Sequence, residues 1–171
     1  MNDTFIMIKF NLIWFCLFSV FLYNCTKEED SLTYLKAIVN GQKTTLTYIE
    51  AKLTRLPIGS SSDSLDILSI YAVRPDYKRD LIIDLRTSKL LPKDYQFGII
   101  TDSLLVKATY KQDSSFFSTA YDNYLTNAGT LVITKIGNNY IKGLFEFNAA
   151  LKDHPDSVIS IKSGSFYAKI K

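Results

Sequence analysis

The sequence predicts an all-β protein, an antiparallel β-sandwich or flattened β-barrel of about 8–10 strands preceded by a signal peptide. Three observations carry this expectation. Apolar and polar residues alternate with period two through most of residues 32–171, and no long stretch has helical period. Turn-forming residues interrupt the alternation at short intervals. A short apolar run, followed closely by a cysteine, stands ahead of all the strands.

That run comes first in chain order. Lys9 supplies a positive n-region, and residues 12–23 are apolar apart from Ser19. A spanning helix needs about 20 apolar residues, so this shorter run reads as a cleavable signal. Residues 1–24 are therefore expected to be a signal peptide, with Met1 and Met7 both open as the start, residues 25–31 a flexible tether, and residues 32–171 a single β domain. Leu22-Tyr23-Asn24-Cys25 resembles a lipobox, which implies lipid attachment at Cys25. Lys27, Glu28 and Glu29 follow, and resemble the surface-export signal of Bacteroidota-type lipoproteins; a solvated linker is the alternative. The chain has two cysteines. Cys16 lies in the signal and Cys25 would carry lipid, so the domain has no disulfide to stabilise it and depends on packing.

Val39-Asn40-Gly41-Gln42 predicts a hairpin, because Asn-Gly accepts the positive φ angles of a type I′ turn. Next, Ile49, Ala51 and Leu53 face one way and Glu50, Lys52 and Thr54 the other. Residues 57–63 read as a polar loop. Residues 65–73 are apolar on both faces, as in a central strand, and residues 76–80 form a charged turn. Leu81, Ile83 and Leu85 resume the alternation. Residues 130–136 and 140–147 are paired strands joined through Gly137-Asn138-Asn139. Ile141, Gly143, Phe145 and Phe147 share the core face, and Lys142 and Glu146 point away. Ile159 and Ile161 form one further alternation; Phe166, Ala168 and Ile170 form another, opposed by Tyr167, Lys169 and Lys171. One apolar and one polar face per strand implies antiparallel sheets closing over one core.

Val39-Asn40-Gly41, residues 129–136, residues 141–147 and Ser163-Gly164-Ser165-Phe166 resemble small Bacteroidota outer-membrane lipoproteins of a domain family of unknown function. The resemblance implies a β-rich domain after a lipobox and an envelope address. It implies no activity.

The chemistry available is sparse. His154 is the one histidine, between Asp153 and Asp156, and one imidazole without a free thiol does not make a metal site. Pro155 and Asp156 read instead as turn formers. No Gly-x-Ser-x-Gly, P-loop or dinucleotide-binding glycine pattern occurs. Asp63, Asp66, Asp122 and Glu146 are the acids that could meet as a glycosidase pair. Their placement in loops and on an outer face reads instead as solvated acids. No catalytic residue and no cofactor are expected. Tyr110, Tyr121 and Tyr124, with Phe116 and Phe117 among Ser, Thr, Asp and Asn, are the ligand-binding candidates, since flat rings beside polar groups suit sugar or peptide. The packing alternative puts Phe116 and Phe117 under the sheet and the tyrosines on its rim. Ser31, Ser64, Ser103 and Ser157 each sit in an Asp-Ser-aliphatic triplet resembling the general O-glycosylation motif of Bacteroidota, although strand starts also generate that pattern.

With 22% charged residues, a net charge of +3 and no basic block, nucleic acid is not an expected partner. The expected function is a lipid-anchored cell-envelope protein that binds glycan, peptide or a neighbouring envelope protein, held to the outer membrane by its N-terminal lipid. Display at the cell surface is expected, with the periplasmic face as the alternative. A structural or assembly lipoprotein without soluble ligand is the second reading, and an enzyme is not expected.

Overall fold

The computed structural model describes residues 33–46, 48–58, 64–73, 79–112, 114–120, 128–151 and 153–171. Among the described residues there is no helix; there are eleven strands. In chain order they are β1 (Tyr34–Val39), β2 (Gln42–Leu46), β3 (Tyr48–Pro57), β4 (Ser64–Val73), β5 (Arg79–Thr87), β6 (Asp94–Gln96), β7 (Leu105–Gln112), β8 (Ser115–Ser118), β9 (Gly129–Ile136), β10 (Tyr140–Leu151) and β11 (His154–Ile170). The protein is all-β, and residues 33–171 form one compact unit.

Local chemistry explains most of these elements. Asn40 and Gly41 carry φ angles of 47° and 84°, and Val39 pairs with Gln42, so the Asn-Gly turn forms as expected. Ile49 and Ala51 are buried, as are Leu81, Ile83 and Leu85. Strand β4 is paired along both edges, with β3 and β5, which makes it the central strand its composition implied. Ile141, Phe145 and Phe147 are buried with Phe166 and Ala168, while Glu146 is exposed.

The strand order β11-β3-β4-β5-β7-β8-β10 closes because β10 and β11 also pair with each other. The sheet therefore closes on itself as a seven-strand barrel, with β1 and β2 continuing beyond β11 and β9 and β6 beyond β10. Three details differ from the sequence expectation. The strands number eleven because two short ones, β6 and β8, carry too few residues to show a period. Strand β6 is instead anchored by Tyr95, whose hydroxyl bonds both the N–H and the carbonyl of Leu91 at 3.0 Å. The sheet is not wholly antiparallel, since Lys169 and Ile170 pair in parallel with Glu50 and Ala51. The last two alternations are one strand of 17 residues, because Ser163, at φ 49°, takes up an extra residue. Two steps along β10, Phe145 to Phe147, match three along β11, Gly164 to Ile161. This bulge shifts the inward set from Ile159 and Ile161 to Phe166 and Ala168 without breaking the strand.

The centre of the hairpin packs through reciprocal pairs. Gly143 stands opposite Phe166, and Phe145 opposite Gly164. A Cβ on Gly143 would lie 2.5 Å from the Phe166 ring, and one on Gly164 2.5 Å from the Phe145 ring. Each glycine supplies the space that the facing ring fills. The Phe145 ring also lies 6.1 Å from Phe147 and 6.4 Å from Phe166. Phe145→Ala is expected to cost about 3–5 kcal/mol, whereas Leu144→Ala, at a side chain 49% exposed, should stay within about 0.5 kcal/mol. Urea unfolding of both variants checks this, and equal midpoints would refute the register.

Candidate functional site

The outer face of the sheet β2-β1-β11-β10-β9-β6 carries two clusters of polar and aromatic side chains. Beside the β11 bulge, a groove of about 340 Å³ is lined by Ala128, Gly129, Glu146, Phe147, Asn148, Ser160, Ile161 and Lys162. Alternation places Glu146 and Asn148 outward from β10, and Ser160 and Lys162 outward from β11. The β1–β2 turn is fastened to β11 here: the Asn40 N–H donates to the Ser160 carbonyl at 2.9 Å, and the Ser160 N–H donates to Asn40 Oδ1 at 3.0 Å. The exposed Leu144 and Val158 continue the same outward rows. A carboxylate, an ammonium, an amide and a hydroxyl thus surround one opening, giving donors and acceptors together.

Nearer the Tyr140 end of the same hairpin lies a cluster of tyrosine and lysine. The Tyr34 and Tyr167 rings stack at 6.4 Å and 29°, and Tyr140 meets Tyr167 at 5.3 Å. Lys142 Nζ stands 4.8 Å from the Tyr167 ring centre and 5.9 Å from that of Tyr140. Lys135 lies 5.5 Å from Tyr140, and Lys36 lies 5.1 Å from Tyr34. Next to them, Tyr48 donates to Glu50 Oε1 at 2.9 Å, and Lys171 pairs with the same carboxylate. Hydrogen bonding to Glu50 raises the pKa of Lys171, so its ammonium persists to higher pH than usual.

Residues singled out from sequence fall variously. Cys25, Lys27, Glu28, Glu29, Ser31, Tyr121 and Tyr124 lie outside the described residues, as do Asp63 and Asp122. Tyr110 sits on β7, paired with Phe117, and both pack against the core. Phe116 does not lie under the sheet: it is 49% exposed, with Lys111 Nζ 5.4 Å from its ring. Ser64 opens β4, half-buried opposite Pro57, and Ser103 is exposed between β6 and β7. Ser157 belongs to β11 rather than to a loop. Leu151 pairs with His154 and Ala150 with Val158, so residues 155–157 bow out of the ladder as an exposed excursion. His154 is exposed, and among the described residues no group of three or more His, Cys, Asp or Glu could hold a metal ion.

Glu146 is on the outer face, but Asp66 is not a solvated acid. It points inward from β4 and its side chain is 4% exposed. Arg55 Nε donates to Oδ1 at 2.7 Å and Nη2 to Oδ2 at 3.3 Å, while the Leu90 N–H donates to Oδ2 at 2.9 Å. The hydrogen bond from Arg55 lowers the Asp66 pKa, against the opposing effect of burial. All these donors belong to the scaffold, so the acid ties β3, β4 and the segment after β5 together and has no catalytic partner in view.

The fold and the groove define an all-β domain whose distinctive chemistry is a polar surface opening. Residues 60–169 match DUF6252, a domain of unknown function, and the chain belongs to that family. The expected membership of a family of unknown function is thereby met. No curated protein and no solved structure matches the chain.

The Asp66 clamp has a pH signature. A carboxylate with a depressed folded pKa adds stability above its unfolded pKa of about 3.9, and loses it as pH falls through the folded value. Asp66→Asn should therefore unfold at lower urea than the parent at neutral pH, with the gap closing in acid. A gap that stays constant with pH would show that ionisation of Asp66 does not stabilise the fold.

Proposed function

We propose that this is a lipid-anchored protein of the bacterial cell envelope that binds a glycan along the groove of Glu146, Asn148, Ser160 and Lys162. The anchor rests on the sequence: a short apolar signal, then Leu22-Tyr23-Asn24-Cys25. Surface display, for which Lys27, Glu28 and Glu29 argue, belongs to the same reading. The observation that supports binding is the groove itself, where four different polar side chains converge beside a strand bulge. A glycan offers hydroxyls that both donate and accept, which matches this mixed set. A protein partner held by apolar anchors is less favoured, because the outward side chains at the groove are polar. The assembly role without soluble ligand would use the same outer face but would need no groove.

Two measurements test the proposal. Metabolic labelling with a fatty-acid analogue should mark the wild type and not Cys25→Ala; equal label in both would remove the lipid anchor. Titration with envelope polysaccharide from the native host should show binding that weakens at least about tenfold in Asn148→Ala, the loss of one or two hydrogen bonds to ligand. Binding unchanged by Asn148→Ala and by Lys162→Ala would exclude the groove.

A further inference from the structure

We infer that the groove beside the β11 bulge takes a zwitterionic saccharide chain, one that carries ammonium and carboxylate on neighbouring units, with Glu146 receiving the ammonium and Lys162 the carboxylate. The inference rests on the reading of this groove as a glycan site and names the class of glycan. It does not depend on Cys25.

The first observation is that the polar side chains of the groove are not used by the fold. Among the described residues, none of Glu146, Asn148, Ser160 and Lys162 makes an ion pair or a hydrogen bond through its side chain. Elsewhere in the sheet, complementary groups that face each other are joined. Lys171 pairs with Glu50, Arg55 pairs with Asp66, and Ser69 Oγ donates to Asp84 Oδ1 at 2.7 Å. The backbone of Ser160 is already satisfied by Asn40 at both its N–H and its carbonyl. Its hydroxyl is left over, directly opposite Asn148.

The second observation is the bulge, which accounts for the acid and the base staying apart. Phe145 pairs with Gly164 and Phe147 with Ile161, so Glu146 alone faces two residues, Lys162 and Ser163. In a regular ladder an acid directly opposite a lysine pairs with it. The extra residue bends the strand and re-aims the side chains beside it. Ser163 holds φ 49°, a left-handed conformation that costs a serine more than a glycine. The strained residue is the immediate neighbour of Lys162.

Together these facts select the ligand. A molecule that fills the opening takes water from both Glu146 and Lys162. A neutral sugar would leave two desolvated charges without partners, which is costly. A purely acidic chain would satisfy Lys162 and bring a like charge to Glu146, and a purely basic chain would do the reverse. A chain with both charges satisfies both, while its hydroxyls meet Asn148 and Ser160.

The test uses the full chain in detergent and four hexasaccharides. They are hyaluronan, in which glucuronate alternates with N-acetylglucosamine; its N-deacetylated form, which adds ammonium groups; chitosan, with ammonium alone; and chitin, with neither charge. Calorimetric titration should find N-deacetylated hyaluronan bound at least about tenfold more tightly than each of the others. Glu146→Gln should erase its advantage over hyaluronan and leave hyaluronan bound no more weakly than before. Lys162→Gln should erase its advantage over chitosan. An unchanged melting temperature in both variants shows that neither loss is unfolding. Equal affinity for hyaluronan and its N-deacetylated form, or an advantage that survives both substitutions, overturns the inference. If the four sugars bind alike and Asn148→Ala weakens them all, the groove remains a glycan site and only the charge assignment falls. Absence of binding to all four, in a protein that still binds host polysaccharide, has the same meaning. Absence of binding to host polysaccharide as well removes the glycan reading itself. A hexapeptide of alternating lysine and glutamate that binds as tightly, and is weakened by the same two variants, overturns the sugar in favour of a peptide.

Discussion

The structure depends on one hairpin. Strands β10 and β11 pair with each other along their length, yet each also lends its outer edge to two further strands. Strand β10 pairs with β9 over Ile141 to Phe147 and with β8 at Ala150 and Leu151. Strand β11 pairs with β1 over Tyr34 to Val39 and with β3 at its far end. The two corners are thin, two residue pairs each, so the barrel is held chiefly by the rigidity of the hairpin. That rigidity comes from the interlocked Gly143–Phe166 and Phe145–Gly164 pairs, which leave neither strand free to slide by a residue. The bulge at Ser163 then bends β11 and lets its two halves keep their apolar residues on one side.

Features encoded within a few residues were legible in the sequence. The Asn40–Gly41 turn, the inward rows on β3, β5 and β10, and the central position of β4 follow from local chemistry or from period two. Features encoded by distance were not. Asp66 occupies an inward position on β4 and looks like a surface acid, because Arg55 and the Leu90 N–H that neutralise it lie on other segments. Ser163 shifts the phase of the alternation, so one strand reads as two. The tyrosine cluster draws on positions 34, 140 and 167, each an ordinary outward residue until the pairing of β1, β11 and β10 joins them. The groove had a partial signal, in the outward direction of Glu146, but nothing in the sequence announces that Lys162 and Ser160 lie across from it.

The molecule has polarity along the β10–β11 axis. One end gathers rings and ammonium groups around Tyr34, and the middle gathers a carboxylate, an amide, a hydroxyl and an ammonium around an opening. The excursion of residues 155–157 and the exposed Val158 also belong to the groove half of the hairpin. Sequence change there can alter what is recognised without touching the Phe145–Phe166 packing that holds the strands in register.

The parallel contact of β11 with β3 bears on the order in which the chain can fold. Residues 169–171 complete the ring, and the Lys171 N–H donates to the Ala51 carbonyl at 2.9 Å. A chain delivered N-terminus first, whether from a ribosome or through a translocation channel, exposes the β3–β4–β5–β7 meander well before its closing partner exists. Until β11 arrives, the edge of β3 near Ala51 is an unfilled template and the apolar face of the meander is uncovered.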